Sequence, residues 1–168
     1  AVGLALIAIS GTAVADGYEV AAPAAADEGR KFTYSFNIGV TSDYVFRGIS
    51  QTSEGPAIQG GFDASCGIFY AGVWASSLDW GGTGVFFPGD PRGNDSVANV
   101  EIDWYLGIKP VTGRITWDLG VIYYAYPGAN DSFAKTGFRE LDYVELKAGA
   151  SFKPLSQWTL GIVAYYSP

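Results

Sequence analysis

Phe32 to Gly48 reads FTYSFNIGVTSDYVFRG, and its alternation decides the fold class. The even positions Phe32, Tyr34, Phe36, Ile38, Val40, Tyr44 and Phe46 are apolar or aromatic, with Ser42 the exception. The odd positions Thr33, Ser35, Asn37, Gly39, Thr41, Asp43 and Arg47 are polar or small, with Val45 the exception. Side chains on a strand alternate faces with a period of two, so the stretch predicts a strand with one apolar and one polar face. A soluble antiparallel sheet also carries this pattern. The run of about 16 residues, however, exceeds the ~5–6 usual in globular strands and the ~9–11 that cross a bilayer at a tilt. Aromatics lie at both ends of the apolar face with aliphatics between, the grading of a lipid-facing strand. The expectation is the first strand of a transmembrane β-barrel.

Composition agrees. The chain of 168 residues has the length of one domain, with 16% charged residues, 15% aromatics and 23 glycines. No window after the N-terminus holds the ~18 apolar residues of a spanning helix. A mean hydropathy of +0.14 suits a barrel, whose polar lumen offsets its apolar exterior. The net charge of −7 and the lack of a basic cluster argue against nucleic acid. A single cysteine, Cys66, has no intramolecular disulfide partner, and no metal-ligand spacing exists. Without histidine, Ser-His-Asp and Cys-His chemistry have no base, and no acid pair is singled out for glycosidase-type work. No enzyme activity and no catalytic, cofactor or metal site is expected.

Ala1 to Ala15, AVGLALIAISGTAVA, has the apolar core and Ala-x-Ala ending of a signal-peptide remnant, so export is expected. Residues 16–31, Ala-, Pro- and acid-rich, are expected to be disordered. Residues 32–168 form the predicted barrel domain. After the opening strand, alternation predicts strands at 56–65, 68–78, 99–109, 114–126, 141–152 and 158–166. In the strand at 68–78, Phe69, Tyr70, Val73 and Trp74 place aromatics on both faces and leave its orientation open.

The connections at 49–55, 79–98 and 127–140 are longer than the turns between them, the asymmetry of outer loops and periplasmic turns. Asn94 to Ser96 and Asn130 to Ser132 repeat Asn-Asp-Ser in the two longest loops, which ordinary turn chemistry explains better than calcium or ligand contact. Phe32, Tyr34, Trp117, Phe152 and Trp158 fall at the periplasmic ends. Tyr44, Phe46, Tyr123, Tyr124, Tyr126, Tyr165 and Tyr166 fall at the outer ends, as two interfacial belts would. Seven strands do not close such a barrel, whose strand number is even, so an incomplete fragment of a larger antiparallel up-and-down barrel is expected.

NIGVTSDYVFRGISQTSEGPAIQGGFD (Asn37 to Asp63), FYAGVWAS (Phe69 to Ser76), GVIYYAYPGA (Gly120 to Ala129), DYVELKAGAS (Asp142 to Ser151) and YYSP (Tyr165 to Pro168) resemble the TorF family of porins. These are largely uncharacterised proteins assigned to the outer membrane of Gram-negative bacteria. The resemblance implies an outer-membrane location but brings no substrate and no site residues. The loop at 79–98 is longer than is usual in that family.

The expected function is passive diffusion of small hydrophilic solutes through a pore in outer-membrane lipid. On the alternation, Asp43, Arg47, Asp63, Glu101, Asp103, Lys109, Arg114, Asp118, Glu145 and Lys147 line the lumen, six acids against four bases. A net negative lumen concentrates cations and predicts weak cation preference. The same charges could instead pair across strands and plug the barrel. Arg47 at the outer mouth is expected chiefly to pin a loop, by pairing with a carboxylate such as Glu54. Two other classes compete: a non-conducting structural or adhesive barrel binding through its outer loops, and a soluble barrel with its aromatic face turned inward around an apolar ligand. No stretch marks a subunit interface.

Overall fold

The computed structural model describes residues 6–9, 31–80, 98–127 and 141–168. The described chain is all β, with no helix. Seven long strands follow one another: β2 (Phe32–Thr41), β5 (Ala57–Cys66), β6 (Phe69–Ser77), β7 (Val100–Ile108), β9 (Ile115–Ala125), β10 (Tyr143–Leu155) and β11 (Trp158–Tyr166). Four short ones accompany them: β1 (Leu6–Ile9), β3 (Val45–Phe46), β4 (Ile49–Ser50) and β8 (Val111–Thr112). All seven long strands were legible in the alternation, most of them to within two residues.

Each long strand pairs antiparallel with its sequence neighbours, in the order β1-β11-β10-β9-β7-β6-β5-β2. Among the described residues the meander is not closed: β2 pairs with β5 alone at one edge, and at the other β11 pairs with β1 through Leu6↔Val163 to Ile9↔Leu160. Leu6–Ile9 lies in the stretch read as a leader, and the remainder of residues 1–30 falls outside the described residues. Most of the two longest connections, at 81–97 and 128–140, does so too. With every pairing antiparallel, successive connections alternate ends. The turns after Cys66, Ile108 and Leu155 share one end, and the connections after Thr41, Ser77 and Ala125 share the other.

The two faces of the sheet differ in polarity. Register places Ile38, Phe62, Val73, Trp104, Tyr123, Leu146 and Ile162 on one face with their even- or odd-numbered companions. This face is apolar and open: Phe36 and Ile38 are 79% and 81% exposed, and Trp104, Leu106, Leu119, Leu146, Trp158 and Ile162 are exposed as well. The opposite face is mostly polar, open along β2 and covered over β6 to β10 near the long connections, with Glu101 2%, Asp103 1% and Tyr124 1% exposed beside the buried cluster of Tyr44, Ala57, Trp74, Leu78 and Ala98. The polarity is thus the inverse of a soluble sandwich, whose apolar face is the buried one. On β6 the ambiguity resolves: Phe69 and Val73 face outward, Tyr70 and Trp74 inward.

The first strand departs from its expected length. The opening strand stops at Thr41, its last residue paired with β5, instead of running to Gly48. Ser42 to Pro56 turns back across the inner face, carrying the small β3–β4 ribbon. Local chemistry explains the break. The Asp43 carboxylate accepts the Ser50 hydroxyl at 2.6 Å and lies 2.9 Å from the Thr52 hydroxyl, and the Tyr44 N–H donates to Thr52 Oγ1 at 3.1 Å. These side-chain bonds compete with a continued ladder. Arg47 and Gly48, at φ +50° and +83°, make the tight turn between β3 and β4. The aromatics expected to form an outer belt divide accordingly. Tyr123 and Tyr166 face outward, whereas Tyr44 and Tyr124 are buried inside, and Tyr126 packs against the inner cluster. At the opposite end Phe32, Tyr34, Trp117, Phe152 and Trp158 are all exposed on the apolar face.

Candidate functional site on the inner sheet face

The inner face is built in cross-strand layers. Nearest the long connections, Trp74, Asp103, Tyr124 and Tyr143 are register partners across β6, β7, β9 and β10. The Tyr124 and Tyr143 rings stack at 4.4 Å. In the next layer Asp63, Gly72, Tyr105, Ile122 and Glu145 align, and below it Tyr70, Gly107, Gly120, Lys147 and Tyr165.

Two tyrosines lie flat across glycines to reach aspartates on other strands. Tyr105 crosses Gly72 and donates its hydroxyl to Asp63 Oδ1 at 2.5 Å. Tyr70 crosses Gly107 and Gly120 and donates to Asp118 Oδ1 at 2.7 Å. A Cβ on Gly72 would lie 2.4 Å from the Tyr105 ring, and one on Gly107 2.5 Å from the Tyr70 hydroxyl. The side-chain-free glycines are what allow the rings to lie on the sheet. Asp118 also holds Lys147 Nζ at 2.8 Å.

The Ser42 to Pro56 segment forms a strap over the top layer. Tyr44 donates its hydroxyl to Glu101 Oε1 at 2.8 Å and meets Trp74 edge-on at 5.3 Å. Burial, with the Glu101 charge beside it, pushes the Tyr44 phenol well above its usual range, so it remains a donor. Arg47 donates from Nη2 to Glu145 Oε2 at 2.6 Å, and Tyr124 donates to the same oxygen at 3.2 Å. That bond raises the Arg47 pKa further, against partial burial, so the guanidinium is always charged. The group lies 4.7 Å from the Phe46 ring centroid and 5.6 Å from that of Tyr165. The strap follows β2, whereas Glu145 and Tyr165 sit on β10 and β11. Its tip therefore reaches the far side of the sheet.

Of the residues assigned to the lumen, Asp63, Glu101, Asp103, Asp118, Glu145 and Lys147 lie on the inner face, and Asp43 and Arg47 on the strap. Lys109, just past β7, folds inward with Nζ 4.9 Å from the Tyr70 ring centroid; burial lowers its pKa, and the Asp118 charge partly offsets this. Arg114 stands apart. It is exposed in the turn before β9 and donates to the Lys153 carbonyl at 3.3 Å, because the Gly113 turn (φ +61°) lies beyond the polar face. Arg47 pairs with Glu145 rather than with Glu54, which is exposed on the strap.

None of the tyrosines that share this face is among the residues assigned to the lumen. Tyr70, Tyr105, Tyr124, Tyr143 and Tyr165 all occupy positions of the polar phase, a parity legible once each strand's phase is known. Their glycine partners are not legible, because they depend on cross-strand register.

No curated protein and no solved structure matches this chain. The sequence profile of a family described as "bacterial protein of unknown function (Gcw_chp)" matches residues 24–165, which covers the seven long strands up to the penultimate residue of β11, and the chain belongs to that family.

Proposed function

We propose that this sheet is the wall of a transmembrane β-barrel of the bacterial outer membrane that passes small hydrophilic solutes with weak preference for cations. The observation that carries the reading is the inverted polarity: seven adjacent strands expose an apolar face, while the buried acids Glu101, Asp103 and Glu145 lie on the opposite one. An apolar surface of this breadth on a soluble monomer would be an association liability, whereas lipid is its natural solvent. A soluble barrel around an apolar ligand would need the reverse arrangement. The resemblance to TorF porins supports the same location. Both open edges would have to be paired in a membrane, which makes this sheet part of a closed structure.

Cation preference follows from the inner charges. Six acids (Asp43, Asp63, Glu101, Asp103, Asp118, Glu145) stand against three bases (Arg47, Lys109, Lys147), since Arg114 lies outside. A face with this excess concentrates cations and repels anions.

The alternative, a non-conducting structural or adhesive barrel, draws support from the burial of Glu101, Asp103 and Tyr124 and from the Arg47–Glu145 and Lys147–Asp118 pairs, which fill the interior. Planar-bilayer recording of the refolded protein decides between them. Discrete conductance steps whose reversal potential in a salt gradient shows cation preference are the expected result. Steps with anion preference would overturn the charge assignment. An inserted protein without steps would favour the filled barrel.

A further inference from the structure

We infer that the Ser42 to Pro56 strap is a latched gate over the inner face, and that the Arg47–Glu145 ion pair is its latch. The inference rests on the membrane-channel reading for its purpose, but its structural content is separate. Three features support it.

The strap is internally braced. Asp43, Ser50 and Thr52 bond to one another, the Gln51 N–H donates to the Tyr44 carbonyl at 2.6 Å, and the Gly55 N–H donates to the Thr52 carbonyl at 2.8 Å. These bonds fix the local path of the strap. Its turns use left-handed backbone at Arg47, Gly48, Ser53 and Glu54. The three of these residues other than glycine hold a conformation that L-residues visit reluctantly, which points to a shape held for a purpose.

Attachment of the tip to the far side of the sheet is narrow. It consists of the Arg47 bond to Glu145, the Tyr44 bond to Glu101 and the aromatic contacts of Phe46 with Tyr124 and of Arg47 with Tyr165. The Arg47 side chain is 45% exposed while Glu145 is 4% exposed. A half-exposed, permanently charged group thus closes over a buried carboxylate. When it leaves, water replaces it readily on the guanidinium side.

On the near side Gln51 and Ser53 also bond to Asp79 and Trp80, whereas the two far-side anchors are acids of the inner face. Lifting the strap would uncover two carboxylates together, Glu101 and Glu145, and add both to the cation-attracting surface. The latch and the predicted selectivity therefore share residues.

The test reads gate position without relying on conductance. Ser76 is buried on the inner face, between its register partners Gln59 and Glu101. In a Cys66→Ser background, Ser76→Cys provides a thiol whose reaction with a water-soluble methanethiosulfonate follows the opened population, as exchange through local opening does. With Arg47 intact, labelling is slow. Arg47→Glu places like charges at the latch and is expected to speed labelling about tenfold or more, the shift that losing one charge-assisted hydrogen bond gives. The swap Arg47→Glu with Glu145→Arg is expected to restore slow labelling. Circular dichroism of every variant in the same detergent verifies the fold.

Labelling of Arg47→Glu at the unmodified rate would overturn the gate, as would a swap that labels as fast as the single variant. If labelling follows the expected pattern while neither the parent nor Arg47→Glu conducts in bilayers, the latch stands and the channel reading falls. If steps appear in the parent and Arg47→Glu alters neither steps nor labelling, the channel stands and the latch falls.

Discussion

Gly72→Ala is a one-methyl test of the inner-face architecture. The new Cβ would stand 2.4 Å from Tyr105 Cζ and Oη and 2.5 Å from Cε2, where carbon contacts settle at ~3.5–4.0 Å. All three atoms belong to one side chain, so the strain is relieved only when Tyr105 swings off the sheet. That movement breaks its 2.5 Å bond to Asp63. A hydrogen bond to a charged acceptor contributes about 1.5–3 kcal/mol. Replacing glycine within a strand returns about 0.5–1 kcal/mol through backbone entropy. The net expectation is a loss of about 1–2 kcal/mol. The sign should reverse in a Tyr105→Ala background, where nothing opposes the methyl group and only the entropic gain of about 0.5–1 kcal/mol remains. Reversible urea unfolding of the four proteins in one detergent, followed by tryptophan fluorescence, measures all sides of this cycle. An equal cost of Gly72→Ala in both backgrounds would refute the argument, because the glycine would then serve something other than the tyrosine.

Three further outcomes follow. Leu106→Arg on the open apolar face should reduce stability in lipid vesicles by about 2–4 kcal/mol, while Asn37→Lys on the inner face changes it by much less; urea titration of vesicle-inserted protein compares them. Gly113→Ala should cost about 1 kcal/mol, because the left-handed φ of +61° is unfavourable even though no atom lies within 4 Å of the added methyl. Gly113→Asn should recover most of this, since asparagine tolerates that conformation, and the same unfolding assay reads both. Asp118→Asn removes an acid beside Lys147 and should move the bilayer reversal potential toward anions, whereas Lys147→Gln should move it toward cations; identical potentials in both would detach these residues from the path.

The all-β, antiparallel class was legible because strand alternation is a local property. Even and odd positions of Phe32–Thr41 report their faces without knowledge of any partner, and the clean alternation of Asn99 to Tyr126 does the same. The inner acids were legible for the same reason. Glu101 and Asp103 stand in the polar phase of their strand, as do Asp63, Asp118 and Glu145.

What failed in the reading was non-local. Tyr44 and Phe46 continue the apolar phase of β2 in sequence, but Asp43 captures the hydroxyls of Ser50 and Thr52, and the chain leaves the sheet. Phase has no meaning beyond the last paired residue. Arg47 was expected near Glu54, seven residues on, and instead meets Glu145, 98 residues away. Such a pair exists only because the meander brings β10 opposite the end of β2.

By itself, then, the sequence determined an antiparallel, two-faced sheet and the sign of its inner charge, since both follow from period-two patterning along single strands. Only the tertiary structure decided which acids are held by Arg47, Lys147 and the tyrosines, because register between strands sets which side chains share a layer. It also decided that the segment after β2 lies across the inner face, because that path depends on contacts with Trp74, Glu101 and Glu145 that no local pattern encodes.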